Sequence, residues 1–321
     1  MKRFFTHFLI IFVILCATVL PAAAAQMLIP GGQVIGMHLV DDTVSVAAIH
    51  DTLGAAAKAA GLAVGDRIVS IDGQTVHGPE DVRAALAKSG GPVDVSILRC
   101  GKAKKLRFTP AITDSGPRLG VYLKQGTTGI GTVTYYDPAE KTFGALGHGV
   151  HHPDGQLLAL TQGRIYEASV LSVKKGAAGA PGQLMGAVTD TLPLGDIGKN
   201  TPRGVFGQMP SPQADPLPIG EKNSVRTGPA TIRSTVNGGG CREYSVEILK
   251  IYPSMGDGGR NMLLRVTDPA LLEACGGIVQ GMSGSPIIQD GKLVGAVTHV
   301  LVNDPTTGYG IFIENILDAA A

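Results

Sequence analysis

The feature that most constrains the fold is a series of short apolar runs that fills the sequence from residue 116 to residue 321. Apolar and polar residues alternate within each run, and Gly, Pro and Asp separate one run from the next. Alternation with a period of two is typical of half-buried strands, and no long amphipathic pattern interrupts it before the C-terminal IENILDAAA. The runs include RLGVYL, GIGTVTYYD, GRIYEASVLSV, YSVEILKIY and NMLLRVTD. We therefore predict a mainly β fold, with an antiparallel barrel or sandwich in this region.

The composition agrees with a packed, strand-rich protein. Glycine accounts for 45 of the 321 residues, roughly twice its usual share. Apolar residues make up 44% and charged residues 17%, which predicts a folded core rather than disorder. The length suits about two domains. The formal net charge of +1 gives no electrostatic footprint for nucleic acid, so we expect none among the partners.

The N terminus has the pattern of an export signal. Lys2 and Arg3 precede the apolar run FLIIFVILCATVL, and PAAAA follows it. The run is shorter than the ~20 residues that span a bilayer, although two preceding phenylalanines lengthen it. We predict that residues 1–25 are a signal peptide or a signal anchor, and that the chain is exported across the cytoplasmic membrane to an extracytoplasmic or intermembrane space.

Three cysteines lie beyond that segment, namely Cys100, Cys241 and Cys275. An exported chain can keep disulfides, but the number is odd. A Cys241–Cys275 disulfide and a pair of buried free thiols are both open at this point.

Residues 27–113 predict a separate small α+β domain. The stretch GLAVGDRIVSIDGQTV contains a turn, a strand and an Asp-Gly turn. A helix follows in HGPEDVRAALAKSGG, where Pro79 suits the first position and Glu80 and Asp81 complement the positive helix end. The last stretch, VDVSILRCGKAKKLRFTP, predicts a hairpin that turns at Gly101 and Lys102.

This order of elements resembles a PDZ domain, and the pattern Gly-Leu-x-x-Gly-Asp-x-Ile-x-x-Ile-Asp-Gly at residues 61–73 is fairly specific for one. The resemblance implies that an extended peptide adds to a sheet edge and that backbone N–H groups bind its carboxylate. We expect GGQVIGMHL to supply the receiving loop and strand, with a peptide or the chain's own N-terminal segment as ligand. The alternative is a small domain that only packs against its neighbour.

Two glycine-flanked residues suggest nucleophilic catalysis: His148 in FGALGHGVHHPDG and Ser283 in GIVQGMSGSPII. A serine hydroxyl needs an imidazole to accept its proton, and the imidazole needs a third group to fix its tautomer. Gly-x-Ser-Gly lets the backbone turn with its amides inward, so the N–H groups of Gly281 and Ser283 would stabilise an oxyanion. The alternative is an ordinary β-turn in which the serine caps its own backbone.

The residues around the predicted nucleophile have simpler interpretations. Ser285 is held in an extended conformation by Pro286, so we interpret it as a turn or pocket residue. His299, in GAVTHV, either lines the substrate pocket or is a hydrogen-bonded core histidine. The cluster His148, His151, His152 and Asp154 lacks the His-Glu-x-x-His spacing of a zinc peptidase, so we predict no metal and no cofactor.

The third catalytic group is not determined by spacing. Four aspartates are open: Asp154, Asp190, Asp196 and Asp268. Asp268 ends the strand in MLLRV, which suits a carboxylate near a site, and it equally suits a cap on the turn or helix that Pro269 begins.

Together these motifs resemble the SpoIVB (sporulation protein IV B) serine peptidases of endospore-forming bacteria. The stretches that carry the resemblance are LIPGGQVIGMHL, FGALGHGV, VTDPALL and GIVQGMSGSPIIQDGKLVGAVTHVLVNDPTTGYGIFIENIL. The resemblance implies a trypsin-like double β-barrel peptidase domain at residues 116–321. It also implies that His148 is the base, Asp268 the orienting acid and Ser283 the nucleophile.

The resemblance further implies the biological setting. Such a peptidase would cleave itself and then a membrane-bound regulator in sporulation signalling, which releases an intramembrane protease. Met282 stands where trypsin-like zymogens often have Asp, so we do not expect activation by a newly cut N terminus. The alternatives are a PDZ-containing binding protein without activity and a quality-control protease of the HtrA type. Retention of His148 and Ser283 disfavours the first, and the PDZ-first order with GMSGSP disfavours the second.

Overall fold

The computed structural model of the chain describes residues 26–253 and 260–321. The predicted export segment, residues 1–25, lies outside the described residues, so its role stays a prediction. Within the described ranges, no helix is long and apolar enough to cross a membrane.

Strands dominate the described chain. In the N-terminal part they are β1 (Met27–Pro30), β2 (Val34–Ile49), β3 (Arg67–Ile71), β4 (Gln74–Thr75), β5 (Val93–Arg99), β6 (Lys102–Phe108), β7 (Ala111–Thr113), β8 (Gly116–Arg118), β9 (Val121–Asp137), β10 (Thr142–Ala145), β11 (Leu160–Lys174), β12 (Gln183–Thr201) and β13 (Gly204–Gln208). In the C-terminal part they are β14 (Leu217–Pro218), β15 (Gly228–Ser234), β16 (Arg242–Ile251), β17 (Met262–Val266), β18 (Pro286–Gln289), β19 (Lys292–Leu301) and β20 (Asp304–Phe312). The helices are α1 (Ala55–Ala59), α2 (Pro79–Ala87), α3 (Pro269–Cys275) and α4 (Ile313–Ala320), with a 3₁₀ turn at Lys222–Ser224.

Six strands close into a first barrel. β9 pairs with β10, β10 with β13, β13 with β12, β12 with β11 and β11 with β2, and β2 returns to β9. All of these pairings are antiparallel. The alternation noted in the sequence turns apolar side chains inward, and they include Ile35, Met37, Val133, Phe143 and Ile165. Closure leaves these strands without a free edge in the ring.

The second barrel is also six-stranded and closed, in the order β15, β16, β17, β20, β19, β18. Its core contains Ile232, Ile248, Leu264, Ile287 and Val297. α4 covers one side, where Ile313 and Ile316 pack with Leu28 of β1. The two closed barrels confirm the predicted mainly β, double-barrel fold.

The PDZ module grows out of the first barrel. β2 and β9 leave the barrel, break register between Leu39 and Val44, and pair again from Val44 to Ile49. β3, β5, β6, α1 and α2 complete the module around a separate apolar core. α2 begins as predicted, because the Asp81 carboxylate accepts the N–H groups of His77 and Gly78 at 2.8 and 3.1 Å. The predicted α+β fold of this module is confirmed.

The structure moves the boundaries of this module away from the predicted 27–113. Strand β1 and the first half of β2 belong to the barrels, because Leu28, Ile35 and Leu39 are buried in barrel cores. At the other end, Leu119 belongs to the core of the module, and Val121 packs against it. GGQVIGMHL is therefore a barrel strand, and its expected role in receiving a peptide is wrong. Apolar alternation looks the same in both modules, so the sequence pattern does not separate them.

Two local predictions also change. The hairpin of β5 and β6 turns at Cys100 and Gly101, whose φ angles are 48° and 72°, one residue earlier than predicted. Cys241 and Cys275 do not form a disulfide, and Cys100 is also free.

Candidate active site

One cavity joins residues from both barrels. Its volume is about 530 Å³, and it contains both His148 of the first barrel and Ser283 of the second. Gly281 and His299 line the same cavity, as do Thr127–Ile130 of β9. The structure therefore brings together the predicted base, the predicted nucleophile and the predicted oxyanion donors, which are far apart in sequence.

A backbone carbonyl sets the tautomer of His148. The residue follows β10 after Leu146 and Gly147, whose φ angles of 71° and 66° turn the chain towards the cavity. Its Nδ1 lies 2.9 Å from the carbonyl oxygen of Gly149. A carbonyl only accepts, so Nδ1 carries the proton and Nε2 keeps a free lone pair. Burial lowers the pKa of His148, which keeps the ring neutral and able to act as a base near pH 7.

A second imidazole lies beside the first. The ring centroids of His148 and His299 are 5.6 Å apart and the planes are tilted by 42°. Burial, followed by the nearby charge of a protonated His148, lowers the pKa of His299 to about 4. The Nδ1 atom of His299 is buried and has no hydrogen-bond partner among the described residues. Of the two interpretations of His299, the wall of the cavity is therefore the one the structure supports.

The predicted nucleophile is accessible, but its hydroxyl is bonded to a backbone carbonyl and not to His148. Ser283 lies on the turn before β18 and is partly exposed to the cavity. Its hydroxyl donates to the carbonyl of Thr298 at 2.8 Å, so transfer of its proton to His148 requires this bond to break first. Ser285, in contrast, is fully buried, and its hydroxyl has no partner among the described residues. That position fits the predicted turn residue and not a nucleophile.

Hydrogen bonds to carbonyls fix the peptide groups of the turn that carries Ser283. The carbonyl of Gln280 accepts from Leu184 N–H at 2.8 Å, and the carbonyl of Met282 accepts from Ser285 N–H at 2.9 Å. In a planar trans peptide the next N–H points the opposite way, so these bonds fix the N–H groups of Gly281 and Ser283. Neither N–H donates to any other group in the described chain. They are the two N–H groups that the Gly-x-Ser-Gly pattern suggests as oxyanion donors.

The two glycines of the turn are required by its backbone. Gly281 and Gly284 both have φ = +98°, a backbone conformation that residues with a side chain rarely adopt. A Cβ on Gly284 would also lie 2.1 Å from the carbonyl oxygen of Thr132. Met282 between them is fully buried in the core of the second barrel.

The structure does not bring Asp268 to His148. One carboxylate oxygen accepts the N–H groups of Ala270 and Leu271 at 3.0 and 3.2 Å, and the other accepts from Ser245 N–H at 3.2 Å. Asp268 is therefore the N-cap of α3, and it is not among the residues that line the cavity. The role implied by the family resemblance is corrected here: the capping alternative, which the sequence left open, is the one observed.

The other candidate aspartates also lie off the cavity wall. Asp154 is 3.5 Å from Arg67, and Asp190 accepts from Leu192 N–H at 2.9 Å within β12. No group of three or more potential ligands in the described ranges could hold a metal ion. His152 instead pairs with Asp41 at 2.7 Å.

A second cavity lies on the PDZ module. Its volume is about 480 Å³, and it separates α2 from the first residues of β9. Apolar side chains of both elements line it, among them Val82, Leu86, Val121 and Leu123. In this segment β9 pairs with β2 on one side, and its other edge faces α2. The free strand edge of the PDZ module is therefore in RLGVYL, outside the predicted bounds 27–113 of that module.

The fold and the site define a serine peptidase of the double-barrel class that carries a PDZ module. Residues 116–317 match the family described as SpoIVB peptidase S55, and residues 53–99 match the PDZ domain family. The first match spans more than half of the chain, so the chain belongs to the SpoIVB peptidase S55 family. The predicted family resemblance is confirmed.

More distant similarities are partial. The Agrobacterium fabrum protein Atu1380, named as a zinc metalloprotease, is 40% identical over 78 residues, which cover 24% of this chain and 21% of that protein. The Rhizobium meliloti protein R01501, with the same kind of name, is 37% identical over 103 residues, or 29% and 26% of the two chains. The chain thus spans about a quarter of the length of these relatives.

The chain is also similar in part to two solved structures. The active form of the Rv3671c protease from M. tuberculosis is 16% identical, with a TM-score of 0.35 over 74% of this chain and 82% of that one. The HtrA-type protease AlgW with a decapeptide is 13% identical, with a TM-score of 0.38 over 65% and 57% of the two chains.

Proposed function

We propose that this chain is a serine endopeptidase in which Ser283 attacks the substrate carbonyl and His148 is the general base. The observation that carries the proposal is the single cavity that holds the hydroxyl, the imidazole and two uncommitted N–H groups. Family membership supports the reaction class.

The reaction follows from this geometry. The Ser283 hydroxyl leaves the Thr298 carbonyl and gives its proton to Nε2 of His148, while Oγ forms a bond to the carbonyl carbon of the substrate. The oxyanion that develops accepts from the N–H groups of Gly281 and Ser283. Collapse breaks the C–N bond, and the imidazolium protonates the leaving amine. Water then hydrolyses the acyl-enzyme with His148 again as base.

The group that orients the base in this proposal is the Gly149 carbonyl. It accepts from Nδ1 of His148 and also lies 3.0 Å from Nδ1 of His151. A carbonyl carries a partial negative charge and stabilises the imidazolium less than a carboxylate would. We therefore expect a weaker base than in a complete Ser-His-Asp triad.

The PDZ module would bind an extended peptide in the groove between α2 and β9. The exposed edge of β9 offers backbone groups for strand addition, and the apolar wall offers a place for side chains. The ligand would be part of a protein substrate or of the chain's own N-terminal segment. The module would thereby present or restrain substrate.

The wider role rests on family membership and on the N-terminal pattern. The enzyme would act outside the cytoplasmic membrane in sporulation signalling, with residues 1–25 as signal peptide or anchor. It would cleave itself and then a membrane-bound regulatory protein. The PDZ-first order of the chain supports this role over general quality control.

The proposed activity can be tested without knowledge of the substrate. We expect a fluorophosphonate probe to label the purified chain, and peptide mapping by mass spectrometry to place the adduct on Ser283. Ser283→Ala should abolish the adduct, self-cleavage and casein hydrolysis. Ser285→Ala is the matched control two residues away and should retain measurable activity. Full activity in Ser283→Ala, or an adduct on another residue only, would show that the chain is not the enzyme proposed here.

A further inference from the structure

A buried threonine of the first barrel contacts the nucleophile turn of the second. Thr132 lies on β9 within the run GIGTVTYYD, is fully buried, and belongs to neither of the two glycine-flanked motifs of the sequence. Its hydroxyl donates to the carbonyl of Gly281 at 2.7 Å. Its N–H donates to the carbonyl of Ser283 at 3.3 Å. One residue therefore binds the turn at two points.

These two bonds complete the orientation of the turn. Four successive carbonyls run from Gln280 to Ser283, and each accepts a hydrogen bond. Thr132 supplies two of the four donors, and its hydroxyl is the only side-chain group among them. The peptide group between Gly281 and Met282 lies between the two oxyanion donors. The N–H of the same peptide, that of Met282, donates to the Val279 carbonyl at 3.1 Å, so without the Thr132 bond the peptide is held at that end alone. Its carbonyl can then swing and tilt the neighbouring N–H groups away from the oxyanion.

Thr132 also contacts the segment that carries the base. Its carbonyl accepts from Leu146 N–H at 3.2 Å, two residues before His148. A Cβ on Gly284 would lie only 2.1 Å from the same carbonyl oxygen, so the strand and the turn are in close contact. The residue thus links the nucleophile turn and the approach to the base through its backbone N–H, its carbonyl and its hydroxyl.

A neighbour on the same strand shows that this arrangement is not general for buried threonines here. Thr134 is also fully buried on β9, two residues further along. Its hydroxyl has no hydrogen-bond partner in the described chain. A buried threonine on β9 therefore does not always form a hydrogen bond through its hydroxyl. The bond from Thr132 to Gly281 is a specific feature of its position.

We propose that Thr132 is a positioning residue that holds the oxyanion hole of this peptidase in its active geometry. The inference rests on the proposed function, because it assigns a role in that reaction. Thr132 does not touch the substrate. It acts through the Gly281 carbonyl on the direction of the two N–H donors, so its removal should affect the transition state more than substrate binding.

The test compares three substitutions on β9. Thr132→Val removes the hydroxyl at nearly constant volume, Thr132→Ser keeps it, and Thr134→Val is the matched control. We expect Thr132→Val to lower kcat on a fluorogenic casein peptide, and the rate of fluorophosphonate labelling, by about tenfold to a hundredfold with KM unchanged. Thr132→Ser should stay within about threefold of the wild type, and Thr134→Val should match it.

The melting temperature of each variant separates a positioning role from a structural one, because a positioning residue lowers kcat in a variant that still folds. If Thr132→Val does not fold, Thr132→Ser and Thr132→Ala decide, because they differ by a single hydroxyl. Equal kcat values with and without the hydroxyl would overturn the inference, as would a rise in KM at constant kcat. If the probe labels Ser283 in the wild type, and Thr132→Val is labelled at the same rate, only this inference is overturned. Absence of labelling in the wild type would overturn the proposed function as well.

Discussion

At the scale of single residues, the protonation of two adjacent imidazoles should make both activity and stability depend on pH. His148 works as a base only when it is neutral, and burial lowers its pKa below the ordinary value of 6.5. The acidic limb of a plot of kcat/KM against pH should therefore have its midpoint below 6.5. Rates of fluorophosphonate labelling between pH 4.5 and pH 8 would measure it. A midpoint above pH 7 would contradict the neutral, buried base.

His299 should make the stability of the fold depend on pH. Its pKa is about 4 in the folded chain and near 6.5 when unfolded, so the unfolded state binds more protons between these values. Stability should be full above about pH 6.5 and should fall as the pH drops towards 4. We expect the melting temperature of the wild type to fall between pH 7.5 and pH 5, and that of His299→Gln to fall less. Equal losses would show that His299 does not contribute.

The residues of the site differ in how far the sequence predicts them. Ser283 and Gly281 were predictable because the chemistry of the turn restricts a few adjacent positions. Thr132 was not predictable, since its partner Gly281 lies 149 residues further along the chain. The carbonyl of Gly149 was missed for another reason: every residue has a carbonyl, so no residue type marks it.

At the scale of elements, the short helix α3 depends on its cap. One carboxylate oxygen of Asp268 accepts two N–H groups of the first turn, and an asparagine oxygen can accept both of them. Asparagine loses only the 3.2 Å bond from Ser245 N–H, which the second carboxylate oxygen accepts. Asp268→Asn should therefore retain both the fold and kcat. Asp268→Ala should lower the free energy of unfolding by about 1 kcal/mol in urea titrations.

The same pair of variants tests the family-derived role of Asp268. When an Asp orients a catalytic histidine, its replacement by Asn lowers the kcat of the enzyme by about 10⁴-fold. A loss of that order in Asp268→Asn, with the stability unchanged, would show that α3 and His148 come together in an active state that differs from this structure.

Element types were largely predictable, and their assignment to modules was not. Alternating runs gave the strands, and Pro79 with Asp81 gave the start of α2. The sequence could not show that β2 and β9 each pass through two modules, because the polar residues at the register break have the pattern of turns between separate strands. These residues are Asp41 to Thr43 in β2 and Gln125 to Thr127 in β9. For this reason RLGVYL was assigned to the peptidase domain, although its residues Val121 and Leu123 line the PDZ groove.

At the scale of the whole molecule, the PDZ module holds the loop that follows His148. Arg67 of β3 lies 3.5 Å from Asp154, and its guanidinium donates to the Gln156 side chain at 3.2 Å. The side chains of Arg67 and Asp154 are only 14% and 9% exposed, so solvent screens this pair less than a surface pair.

Arg67→Gln should therefore loosen that loop without unfolding either module. We expect amide hydrogen exchange of residues 150–156 to become about tenfold faster, while exchange in the second barrel stays unchanged. Arg83→Gln is the matched control, because within the described residues Arg83 pairs with Glu80 alone, on an exposed face of the same module. Equal exchange of the loop in both variants would mean that the module does not hold it.

The central claim is that His148, Ser283 and the two N–H groups act on one substrate carbonyl. A crystal structure of the chain after reaction with a fluorophosphonate tests it most directly. We predict a phosphorus–Oγ bond at Ser283, a phosphoryl oxygen about 2.7–3.1 Å from the N–H groups of Gly281 and Ser283, and the His148 ring facing the adduct. An adduct whose phosphoryl oxygen faces away from both N–H groups, or from which His148 is remote, would contradict the account.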